Sequence, residues 1–234
     1  MSTFADRVLA FNRSLEFQGT LPPGIRVMNP FRENPEVMPL AEQFYRKYYA
    51  DNRERCLILG INPGRFGGGV TGIPFTDPKR LRDRCGIEHN LKLVHEPSSV
   101  FVYAVVDAYG GPERFYGDFY INSICPLGFT SATAKGKEVN YNYYDNRALQ
   151  DAVYDFMLDS LQRQLAFGVR RDIGFCLGTG KNYDFISRLN DKEGFFDQLI
   201  PLEHPRFVMQ YRAKRIEEYV ARYLELLGSI EKAG

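Results

Sequence analysis

The chain has 234 residues, 44% hydrophobic and 25% charged, with no Trp, 15 Tyr and 18 Phe. That length and balance fit one large globular domain over 1–234, since a two-domain division would leave each half small. A net charge of +1 excludes a global field drawing the protein onto nucleic acid, so any such contact must come from local clusters.

Residues 2–16 carry apolar positions Phe4, Val8, Leu9, Phe11 and Leu15 behind Ser2 or Thr3 as caps, which predicts a helix. The Gly- and Pro-rich stretch 17–33 reads as an extended connector. Asn34-Pro35-Glu36 starts a second helix with a capping side chain, Pro at the first position and then an acid. Val37, Leu40, Ala41, Phe44, Tyr45 and Tyr48 follow on one face to about residue 50, so residues 1–50 are expected as a helical extension packed on the rest. The run 56–61 (CLILGI) is continuously apolar, as fully buried parallel strands are. Residues 119–125 (FYINSIC) and 173–178 (IGFCLG) predict two more strands. A fourth strand is predicted at 198–202, where Pro201 suggests an edge or a strand end. Between the second and third lies a helix capped by Asp145 and running through Leu149, Val153, Phe156, Met157, Leu161 and Leu165 to Gly168. Tyr183, Ile186 and Leu189 predict a short helix, and a last one runs from about 212 to 227, closed by Gly228.

Strands alternating with helices imply an α/β fold, a three-layer α/β/α sandwich with a mainly parallel central sheet of about four strands. The four cysteines are far apart and form no C-x-x-C pair, so neither a metal site, a cofactor nor a disulfide framework is expected. The opening MSTFADRVLAFNRSL has an early Asp and no long apolar core, unlike a signal peptide. No run approaches the ~20 apolar residues of a membrane span. A cytoplasmic monomer without membrane contact is the expectation.

In open α/β sheets, ligands sit beyond the carboxyl ends of the strands, so the residues after each apolar run are the informative ones. The first run leads into GINPGRFGGGVTGIPF (60–75), the second ends in NSICPLG (122–128), and the fourth ends in Glu203-His204-Pro205-Arg206. These three segments resemble, in order, the signatures of the single-strand-selective monofunctional uracil-DNA glycosylases. The likeness covers an Asn-Pro-Gly loop with its T-G-(V/I)-P-F continuation, a central strand ending in Asn-x-x-Cys-Pro-Leu, and a His-Pro start. It extends from about residue 50 to about 225, and the stretch EPSSVFVYAVVDAYGGPERFYGDF (96–119) shares the family's spacing and aromatic pattern.

The resemblance implies a monofunctional DNA glycosylase of base excision repair, which flips a nucleotide out of the stack and hydrolyses its N-glycosidic bond. DNA containing a deaminated base, single- or double-stranded, is then the expected partner, and a bacterial protein would be nucleoid-associated. The family implies that Asn62 positions the attacking water and that His204 donates a hydrogen bond to O2 of the leaving base. An amide is no general base near neutral pH, so such catalysis rests on orientation and leaving-group stabilisation. Asn122 offers a donor and an acceptor that match O4 and N3–H of uracil and reject cytosine. Phe75 would stack on the flipped base, Ile61 would line its site, and Gly64 would leave room near C5 of a pyrimidine. His89 and His95 lie in a polar loop and read as surface residues.

The chain departs from the family after the His-Pro pair, where it reads His204-Pro205-Arg206-Phe207-Val208-Met209 without the usual Ser-Pro. Arg206, Phe207 or Met209 would fill the gap left by the flipped base, and the pattern does not choose among them. Arg206, Arg212, Lys214 and Arg215, joined by Arg65, form a local basic group for phosphates, and Lys79, Arg80, Arg82 and Arg84 form another. Lys135, Lys137, Tyr141 and Tyr143 form a polar loop that would also touch DNA. The departure leaves two alternatives beside a uracil glycosylase: an enzyme for other deaminated bases such as hypoxanthine or xanthine, or a non-catalytic DNA binder on the same fold. Neither Gly67-Gly68-Gly69 nor Gly178-Thr179-Gly180-Lys181 fits a phosphate-binding loop.

Overall fold

The computed structural model describes residues 2–231. Helix α1 (Phe4–Ser14) opens on a reciprocal cap, in which the Asp6 N–H donates to Thr3 Oγ1 (3.2 Å) and the Thr3 N–H to Asp6 Oδ2 (2.9 Å). Its apolar face is buried, and the Phe4 ring meets the Tyr120 ring edge-on at 5.3 Å. The stretch expected as a connector instead holds strand β1 (Ile25–Met28) and a helical turn α2 (Pro30–Glu33). Helix α3 (Val37–Tyr48) starts two residues late: Asn34 Oδ1 accepts the Glu36 N–H (3.0 Å) and closes a turn in place of capping the helix.

Strand β2 (Arg55–Gly60) is buried at every position and lies in the middle of a four-stranded parallel sheet of order β3-β2-β6-β7, flanked by helices. Its partners are β3 (Phe119–Ser123) and β6 (Val169–Leu177), and β7 (Gln198–Leu202) forms the edge beside β6. Pro201 on that edge forfeits no inner ladder bond. The α4 (Gly68–Thr71), α5 (Pro78–Asp83), α6 (Pro97–Tyr109) and α7 (Pro112–Asp118) helices link β2 to β3. After β3 the chain forms β4 (Gly128–Ala132) and β5 (Glu138–Tyr141), which join β1 in a separate antiparallel sheet of order β1-β4-β5.

The helix expected from Asp145 is split. Asn146 caps α8 (Arg147–Ala152), and α9 (Tyr154–Leu165) follows after a break at Val153. Helix α10 (Lys181–Glu193) is longer than expected. Segment 205–227 is also two helices, α11 (Pro205–Tyr211) and α12 (Ile216–Leu227). Arg55 begins β2 as a fully buried cation. It donates to the Tyr116, Arg53 and Tyr48 carbonyls, pairs with Asp51 (2.9 Å), and lies 4.8 Å from both the Phe4 and Tyr49 rings. The four cysteines are buried free thiols, and burial pushes Cys56 up to about 11 and Cys125 and Cys176 up to about 12. No helix among the described residues is long and apolar enough to cross a membrane.

Candidate active site

The four parallel strands end together at Gly60, Ser123, Leu177 and Leu202, and a cavity of about 350 Å³ opens beyond those ends. Its wall brings together Ile61, Asn62, Gly64, Phe75, His204, Arg206 and Phe207 from the residues expected at the site. It adds residues the sequence pattern did not single out: Glu96, Ser98, Ser123, Asn140, Asn142, Tyr144, Gln210 and Tyr211.

Asn62 is held at both ends of its carboxamide. Its Nδ2 donates to the Tyr141 carbonyl (3.2 Å), and its Oδ1 accepts the Tyr143 N–H (3.1 Å). One N–H and one lone pair remain, enough to hold a water in one orientation. Asn140 Oδ1 accepts the Arg65 N–H (3.0 Å), so the exit of β5 is tied to the Asn-Pro-Gly loop at three points.

His204 caps α11. Its Nδ1 accepts the Arg206 N–H (3.1 Å), so Nδ1 carries no proton and Nε2 must. Burial, with a smaller push from Arg206, lowers the imidazole to about 4. The ring is therefore a neutral N–H donor at physiological pH. The residue before it is anchored from α12: Arg222 pairs with the Glu203 carboxylate (2.7 Å), and the Tyr223 hydroxyl donates to the Glu203 carbonyl.

Phe75 has φ 53°, the one non-glycine residue with positive φ among the described residues. A bulky side chain there costs about 1–3 kcal/mol and persists only where the surroundings impose it. Thr71 imposes it: its hydroxyl donates to the Thr76 carbonyl (2.6 Å) and accepts the Ile73 N–H (3.1 Å). Gly72 completes the turn at φ 71°, where a Cβ would come within 2.5 Å of the Phe31 ring. The Phe75 ring is thereby set over Gly60, 6.0 Å from the imidazole of His204.

Asn122 is not brought into this wall. Its Nδ2 donates to the Tyr120 hydroxyl (2.7 Å) and its Oδ1 accepts the Ser123 N–H (2.8 Å), which turns the side chain toward Tyr120 inside the fold. Ser123 faces the cavity in its place. Met209 is half-buried against the core and does not reach the wall, whereas the rings of Phe207 (40% exposed) and Tyr211 (60%) meet at 5.6 Å, tilted by 45°, beside its mouth.

Of the basic residues, Arg206 lines the mouth and Lys214 is exposed. Arg212 lies over the Phe207 ring (5.5 Å), Arg65 over Phe66 (4.3 Å), and Arg215 is paired with Glu218 (2.6 Å). In the second basic group Arg80, Arg82 and Arg84 are paired with Asp77, Asp83 and Asp107, so three of its four charges are already neutralised. Lys135 and Lys137 are exposed, but Tyr143 is buried and donates to Asn182 Oδ1 (2.8 Å), because its ring belongs to the core. His89 is half-buried, with Nε2 2.7 Å from the Pro78 carbonyl, and His95 is exposed beside Arg80.

A family model described as the uracil DNA glycosylase superfamily matches residues 46–228. The single-strand selective monofunctional uracil-DNA glycosylase of Rattus norvegicus is 28% identical over 108 residues, 39% of each chain. That of Bos taurus is 29% identical over 100 residues, 36% of this chain and 37% of the bovine one. The matches thus span under two fifths of these curated relatives. The crystal structure of wild-type Pedobacter heparinus SMUG2 superposes with a TM-score of 0.97 at 54% identity, covering 99% of this chain and 100% of that one.

Proposed function

Because the chain belongs to the uracil DNA glycosylase superfamily, in its family similar to the single-strand selective monofunctional enzymes, we propose that it hydrolyses the N-glycosidic bond of uracil in DNA and leaves an abasic site. The observation that carries this reading is the pairing of a clamped Asn62 with the Nε2–H of a neutral His204 in one cavity. Asn62 orients the water beneath C1′. His204 donates to O2 of the base as the C1′–N bond breaks and the electron pair moves onto the ring. Preorganised donors aimed at developing charge are worth several kcal/mol, on the order of 3 for one donor. Phe75 stacks on the flipped base, while Arg206, Arg212 and Lys214 hold phosphates beside the mouth.

The second reading, release of hypoxanthine or xanthine, is favoured by the short Ser123 that faces the cavity where Asn122 was expected. A hydroxyl both donates and accepts, so it discriminates less between base edges than a fixed amide does. Single-turnover release from matched oligonucleotides carrying uracil, 5-hydroxymethyluracil, hypoxanthine or xanthine separates the readings. Release of uracil, with strand scission appearing only after alkali, is the expected result. Scission without alkali contradicts the monofunctional assignment, and release confined to the purine lesions moves the substrate to the second reading.

A further inference from the structure

The hydrolysis proposed above leaves one proton unaccounted for. The attacking water must lose it, Asn62 cannot take it up, and His204 has its unprotonated nitrogen committed to the Arg206 N–H. Among the described residues, Glu96 is the one carboxylate in the cavity wall. We propose that Glu96 is the proton acceptor of the reaction.

Its placement is built rather than incidental. Glu96 precedes α6, and its own N–H donates to the buried Asp77 (2.9 Å). Ser99 donates its hydroxyl to Oε2 (3.1 Å). The Asn-Pro-Gly loop wraps the carboxylate so closely that a Cβ on Gly67 would lie 1.9 Å from Oε2, and one on Gly64 would lie 3.6 Å from Oε1 and 3.3 Å from Asn140 Nδ2. Ser99 and Gly67 thus fix Oε2, and Oε1 is left beside Gly64, two residues from Asn62. The charged groups around it are Asp77, itself paired with Arg80, and Arg206 from α11. Burial raises the carboxyl to about 7; Ser99 and Arg206 pull it down and Asp77 pushes it up. A carboxylate poised there is half ionised at neutral pH, as an effective base should be.

The step balances. An O–H bond of water breaks and its proton passes to Oε1 while the oxygen bonds to C1′. The C1′–N pair leaves with the base, which takes a proton from solvent, and Glu96 returns its own to solvent. An anionic Glu96 also favours the cationic sugar of the transition state.

This inference rests on the glycosylase reading, and a pH profile separates their failures. Single-turnover release of uracil from a single-stranded oligonucleotide is followed from pH 5 to 9 for the wild type, Glu96→Gln and Ser99→Ala. The wild-type rate should rise roughly tenfold per pH unit and level off above about 7, because the ionised form is the active one. Glu96→Gln should lose that limb and run at least about tenfold below the wild-type plateau. Ser99→Ala removes a hydrogen bond that favours the anion, so its midpoint should move to higher pH, a readout that survives if Glu96→Gln fails to fold. Identical profiles for the wild type and Glu96→Gln, or an unmoved midpoint in Ser99→Ala, overturn the role of Glu96. No release by the wild type at any pH overturns the glycosylase reading itself.

Discussion

At the residue scale, the site depends on groups whose protonation is settled by a backbone partner. His204 is the clearest instance. The Arg206 N–H occupies Nδ1, burial holds the ring at about 4, and protonation would break the helix cap. His204 therefore stays neutral around pH 7, and a limb near pH 7 belongs to another group. Asn62 and His204 were legible because each follows a strand end in a motif with little freedom. Ser123 was not. In a strand, neighbouring side chains point to opposite faces, so a reading one residue out exchanges the cavity face for the core face. The segment NSIC offers polar side chains at both positions, and only the Tyr120 hydroxyl decides that Asn122 is the inward one. Glu96 was illegible for a different reason: nothing in its neighbourhood along the chain shows that the 62–67 loop will close around it.

At the element scale, β2, β3 and the inner half of β6 could be read directly, because strands buried in a parallel sheet appear as continuous apolar runs. Helix α6 escaped because its sequence is apolar almost all round and shows little 3.6-residue periodicity. The short β1, β4 and β5 strands have mixed faces and gain their order from pairing with each other. Helix α11 bears most directly on the proposed function. It carries Arg206, Phe207 and Tyr211 to the cavity mouth and turns Met209 toward the core. Under the proposed function, Phe207 and Tyr211 are the pair that would fill the space of an extruded base. Replacing Phe207 with Ala should weaken binding to an abasic-site oligonucleotide by about 1–3 kcal/mol, roughly 5- to 150-fold, with no change in thermal midpoint. Unchanged affinity, measured by fluorescence anisotropy, would assign the wedge elsewhere.

At the scale of the whole molecule, the N-terminal helices and the central sheet meet at Arg55. Its guanidinium is wholly buried, satisfied by three carbonyls and Asp51, and flanked by Phe4 of α1 and Tyr49 beyond α3. Removing it leaves those carbonyls unpaired and opens a space between α1 and the sheet. Arg55→Ala should cost about 3–5 kcal/mol, read as a lower urea midpoint with little change in slope. A loss under about 1 kcal/mol would mean that the N-terminal helices are held by apolar packing alone. Arg55 stood in the sequence as an ordinary cation before a strand, because burial of a charge is visible only once its partners from distant segments are in place.

The central claim is that Asn62 and His204 act together on one glycosidic bond. The most direct test is single-turnover release of uracil from a single-stranded oligonucleotide by the wild type, Asn62→Ala and His204→Ala at pH 8, with folding of each variant checked by circular dichroism. Base release by the wild type, falling at least about tenfold in each variant, is predicted. Near-normal rates in both folded variants would place the chemistry elsewhere, and a folded wild type that binds lesion DNA without releasing the base would make this protein a non-catalytic binder.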